Sequence, residues 1–105
     1  MAEFVTVGGS DEVGEGEATA FAVGDQEVAV ARVDGDLYAF SDICTHRACN
    51  LSAGGEIDGT TIECECHGSM FSMETGQVLH PPATEPLETF DVREVEDEIQ
   101  VAVRE

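Results

Sequence analysis

Lysine is absent from this 105-residue chain and arginine occurs only four times, against 23 aspartates and glutamates, so the formal charge is −19. A surface so poor in cations would repel a polyanion, which excludes nucleic-acid binding and argues against docking on anionic lipid. Nor is there an apolar run long enough to span a bilayer, and the first ten residues have neither the positive segment nor the apolar stretch of an export signal. The expectation is a soluble, cytoplasmic chain with no membrane span. No segment of helical length carries a 3.6-residue apolar period, which points away from a helical fold. The glycine-rich stretches at 8–9, 14–16 and 54–55 lack the strand-loop-helix order of a phosphate cradle and read as loops. At this length the chain forms one domain, 1–105, with a modest core and no room for a second catalytic unit.

What is present are short apolar runs separated by turn residues, the pattern of an all-β chain. The runs predict strands at 4–7, 18–23, 27–33, 36–40, 60–64, 70–72, 87–94 and 98–104. Gly24-Asp25, Asp34-Gly35, Asp58-Gly59 and Thr75-Gly76 supply turns, because glycine tolerates positive φ and aspartate caps a turn locally. Alternation at Phe90 and Val92, and at Ile99, Val101 and Val103, predicts strands that bury one face. The stretch 42–83 differs from its flanks. It holds all four cysteines, all three histidines and two of the three prolines, and reads as a subdomain inserted into a β base. The acidic residues spread from Glu3 to Glu105 in place of one block. Most of them read as a solvated surface adapted to high salt, and some as a docking face for a basic partner.

The chemistry lies in Cys44-x-His46, seventeen residues, then Cys64-x-x-His67. A Cys2His2 set can close a tetrahedron around zinc, but structural zinc sites of that composition pair Cys with Cys and His with His. Here each short loop supplies one thiolate and one imidazole, the ligand mix that puts two cysteines on one iron of a 2Fe-2S rhomb and two histidines on the other. The first loop reads Cys44-Thr45-His46-Arg47-Ala48-Cys49 and the second Cys64-Glu65-Cys66-His67-Gly68-Ser69-Met70-Phe71. Together they resemble the cluster-binding loops of the Rieske family, including the extra cysteine in each loop that is found in Rieske proteins of cytochrome bc complexes.

That resemblance implies a Rieske fold, three antiparallel sheets with the cluster at one tip, and a cluster-binding subdomain at about 42–83. It implies one Rieske 2Fe-2S cluster, with Cys44 and Cys64 on the inner iron and His46 and His67 on the outer. Two fewer thiolates than an all-cysteine cluster make the oxidised centre formally neutral, which lifts the potential into a range of roughly −150 to +300 mV. In high-potential members of the family, the serine matching Ser69 donates to a bridging sulfide, and a tyrosine two positions on donates to a cysteine sulfur. Phe71 has no hydroxyl, so one donor of two implies an intermediate potential. Cys49 and Cys66 match the disulfide pair of the bc-type proteins; two reduced thiols are the alternative, since cytoplasmic cysteines usually stay reduced. Pro81 and Pro82 match a proline-containing loop that covers the cluster, with an ordinary loop as the other reading. His80 reads as a surface histidine outside the ligand set, Arg47 as a charge beside a ligand, and Met70 and Met73 as packing.

The functional expectation is an electron carrier and not an enzyme, resembling Rieske-type ferredoxins that relay electrons from a flavin reductase to a terminal oxygenase or similar acceptor with a positive docking face. The alternative is the Rieske subunit of a larger oxidoreductase, of the quinol-oxidising bc type, an arsenite oxidase or a nitrite reductase.

Overall fold

The computed structural model describes residues 3–23, 26–43, 50–52, 55–65, 68–81 and 84–103. In chain order its strands are β1 (Glu3–Gly9), β2 (Ala18–Val23), β3 (Gln26–Val33), β4 (Asp36–Ser41), β5 (Glu56–Asp58), β6 (Thr61–Glu63), β7 (Met70–Ser72), β8 (Val78–His80), β9 (Thr89–Val95) and β10 (Glu98–Val103). One 3-10 turn, Ser10–Glu12, follows β1.

The strands form two sheets, one of six strands in the order β1-β10-β9-β4-β3-β2 and one of four in the order β5-β6-β7-β8. All their pairings are antiparallel. The outer strands β1 and β2 of the larger sheet lie against each other, so it curls toward a barrel and its edges are sheltered. Hairpins follow from local chemistry. Asp34 and Gly35, at φ 53° and 84°, give the β3–β4 turn the left-handed pair that matches strand twist, and Glu96 and Asp97, at 51° and 67°, do the same for β9–β10. The Glu15 carboxylate accepts from the amides of Asp34 (2.6 Å) and Gly35 (3.1 Å) and caps the first of these turns.

β3 is the wall between two cores. Its side chains alternate, so Val28 and Val30 pack with Val13, Ala39, Ile99 and Val101 inside the curled sheet. Ala29, Ala31 and Val33 face the other way, toward Phe40, Leu51, Ile62, Phe71, Met73 and Leu87. Two alanines on that side leave volume for the larger side chains of the smaller sheet; fully burying each of those is worth roughly 1.5–3 kcal/mol.

The all-β expectation holds, with corrections. Among the described residues the two halves of the base meet at one junction, where Ala39 pairs with Phe90 and Phe40 with Thr89, so they run together as one six-stranded sheet. β5 and β8 lie outside the expected strands: β5 has one apolar residue between two acids, and β8 runs directly into the prolines that read as loop. The strand expected at 87–94 begins at Thr89: Leu87 is buried and spends its amide on the Gly76 carbonyl at 2.7 Å instead. Thr60 sits in the β5–β6 turn and Cys64 beyond the end of β6. The turn expected at Gly24-Asp25 lies outside the described residues.

Candidate metal centre

Cys64 leaves β6 and Ser69 enters β7. The Cys64 amide donates to the Ser69 carbonyl at 2.7 Å, and the Gly68 amide donates to the Cys64 carbonyl at 2.9 Å. These bonds continue the β6–β7 ladder and close a short loop that contains the second half of the motif. Cys64 is 2% exposed and Ser69 1%, so both are withdrawn from water at the loop's root. Beside them is a cavity of about 300 Å³ lined by Glu56, Glu63, Cys64, Glu65 and Gly68. Phe71 is fully buried in the core, as its packing role requires, and Met73 with it. Met70 is half-buried.

The first loop leaves β4 at Asp42 and Ile43 and returns at Asn50. Ile43 and Asn50 form an antiparallel bridge, and the Leu51 amide donates to the Asp42 carbonyl at 2.7 Å. Asp42 is 0% exposed. Its Oδ1 accepts from the Ser52 amide (2.7 Å), and its Oδ2 from Asn50 Nδ2 (2.7 Å) and Ser52 Oγ (2.9 Å). Sequence reasoning passed over Asp42, because nothing in its neighbourhood separates one buried carboxylate from the other acidic residues. Gly55 locks the return: its amide donates to the Leu51 carbonyl at 3.1 Å, and a Cβ there would collide with that same carbonyl oxygen.

Of the expected ligands the structure places Cys64; Cys44, His46 and His67 lie outside the described residues, as do Arg47, Cys49, Cys66 and Pro82. Pro81 is exposed at the end of β8. His80 is exposed too, and its Nδ1 donates to the Pro81 carbonyl at 2.7 Å. The described residues suit an iron-sulfur group. The Cys64 thiol, of the soft type that iron favours, is screened from water at the root of a loop closed by two main-chain bonds, next to a hollow, and the other loop of the motif is rooted in a hydrogen-bonded base.

Residues 3–91 match the model of the Rieske [2Fe-2S] domain. The biphenyl dioxygenase ferredoxin subunit of Pseudomonas sp. (strain KKS102) is 43% identical over 83 residues, 79% of this chain and 76% of that protein. The solved ferredoxin of carbazole 1,9a-dioxygenase from Nocardioides aromaticivorans IC177 superposes with a TM-score of 0.90 at 33% identity, covering 96% of this chain and 98% of that one. A chain in the complex of reduced oxygenase and oxidized ferredoxin in carbazole 1,9a-dioxygenase superposes with a TM-score of 0.86 at 37% identity, covering 94% and 92%. With the motif, the sheet topology and these likenesses in agreement, the chain belongs to the Rieske [2Fe-2S] domain family.

Proposed function

We propose that this chain is a one-electron carrier that delivers electrons to a terminal oxygenase or similar acceptor and takes them from a reductase. It has no catalytic role of its own. The observation that carries this reading is the buried Cys64 at the root of a closed hairpin loop, in a family whose members here include dioxygenase ferredoxins. Cys44, His46, Cys64 and His67 would hold the cluster, with 42–83 as its subdomain. When bound, the cluster supplies a reversible one-electron couple between ferric and ferrous iron. The chain's own residues bury the inner side, hold the two loops in register and set the local charge. Purified protein should contain two irons and two acid-labile sulfides per chain and give the EPR signal of a reduced Rieske centre; stoichiometric zinc without iron overturns the reading.

Ser69, buried beside Cys64, would donate to the cluster and stabilise its reduced form. Ser69→Ala then lowers the midpoint and Phe71→Tyr raises it, and protein-film voltammetry on both variants reads the sign. The pairing of Cys49 with Cys66 rests on the motif, and a cytoplasmic location would oppose it; peptide mapping without reductant decides between disulfide and thiols. The three glutamates lining the cavity by Cys64 support a positive face on the acceptor. The spread of the remaining carboxylates supports a salt-adapted surface, on which added salt raises the melting temperature by screening self-repulsion. Among the described residues no helix is long and apolar enough to cross a membrane.

A further inference from the structure

Asp42 is the one buried acidic side chain among the described residues. Burying a carboxylate is costly unless its oxygens are satisfied, and among the described residues the bonds it accepts come from the far side of the loop that starts two residues later. Ser52 donates twice and Asn50 once. The Asn50 amide group also reaches Glu27 Oε2 at 3.0 Å, and the Asp42 amide donates to the Glu27 carbonyl at 3.0 Å. The chain on both sides of 44–49 is therefore tied to one carboxylate, which is in turn tied to β3. We propose that Asp42 is a positioning residue: it closes the base of the loop bearing Cys44 and His46, and its fixed negative charge holds the cluster's midpoint down. This rests on the carrier reading above. Two residues of chain reach at most about 7 Å, so the charge acts within one Debye length of Cys44, and adding an electron near a buried anion is disfavoured.

Asp42→Asn keeps the shape but replaces an acceptor oxygen with a donor facing Asn50 and Ser52, and it removes the charge. Ser52→Ala removes one donor and leaves the charge in place. Hydrogen exchange of the Leu51 and Ser52 amides in the iron-free chain reads the closure without any cluster. It should speed up about tenfold or more in Asp42→Asn and by less in Ser52→Ala, the loss of charge-assisted bonds being the larger change. In the iron-loaded proteins, Asp42→Asn should lose its visible absorbance severalfold faster on dilution into chelator, with a midpoint above wild type, while Ser52→Ala keeps a midpoint near wild type. A simple packing role would move stability but not separate the two midpoints in this way. Unchanged exchange in both variants, or a midpoint in Asp42→Asn that stays or falls, overturns the proposal. If Asp42→Asn does not fold, the exchange in Ser52→Ala and Asn50→Ala decides, and wild-type rates in both overturn it. A wild-type chain that takes up no iron sinks the carrier reading and the charge effect together, and the iron-free exchange still decides the closure.

Discussion

The base and the cluster sheet use different means to hold the same kind of ladder. Strands of the base run six to eight residues and bury alternate Val, Ile and Ala side chains, so its order comes from apolar area and long register. In the cluster sheet each strand is three residues long, too short to be stable by pairing alone. That sheet depends on a second core shared with β3 and β4, on close main-chain approaches at Gly55 and Gly76, and on side-chain bonds at the Asp42 base. The contrast is one of means: a base that folds as a sheet should, and a smaller sheet whose geometry is set by a few directional contacts.

The largest expected effect tests whether the two regions are separable. Stripping iron with a chelator under reducing conditions should raise amide exchange in 56–72 a hundredfold or more, since binding free energy at a metal site is also folding free energy. The amides of Val28, Val30, Ile99 and Val101 should stay protected. Equal loss in both regions would show one cooperative unit in place of two.

Next comes the joint between the regions. Gly76 sits at φ 79°, its amide donates to the Ser72 carbonyl at 2.8 Å, and an added Cβ would strike the Leu87 carbonyl oxygen. Gly76→Ala therefore meets both strain and collision, for about 3 kcal/mol and a fall in Tm of more than about 10 °C by calorimetry. A change of under about 1 kcal/mol would mean that the β7–β8 turn relaxes freely and that the joint is loose.

The smallest effects sharpen the comparison inside the base. Arg32 donates to the Val13 carbonyl (3.0 Å) and the Ser10 carbonyl (3.1 Å), and pairs with Glu94 at 3.2 Å. Arg93 stacks its guanidinium 4.0 Å from the Phe4 ring centroid and donates to Gln100 Oε1 at 2.6 Å on the outer face. Arg32→Ala should cost about 1–3 kcal/mol, because two carbonyls lose their partner. Arg93→Ala should cost under about 1 kcal/mol, because its contacts are exposed. Urea titration of both variants checks the order, and the reverse order would place the base's dependence on its outer face.

Much of this was legible beforehand, and the limits have physical causes. Residue spacing along the chain sets which ligands two short loops can offer to one metal group, so Cys44, His46, Cys64 and His67 are proposed from the sequence alone, whereas the all-β class and the hairpin turn at Asp34-Gly35 were legible there and recur in the structure. These are local properties, carried by ligand chemistry, by side-chain period and by the φ that glycine permits. Only the tertiary structure decided that β3 is buried on both faces, that Ala39–Phe90 and Phe40–Thr89 join the base into one sheet, and that Leu87 anchors Gly76 instead of starting a strand. It alone separated Asp42 from the other carboxylates. Burial and partner choice depend on residues distant in the chain that pack on one another, and no local pattern around Asp42 announces that Asn50 and Ser52 will return to it.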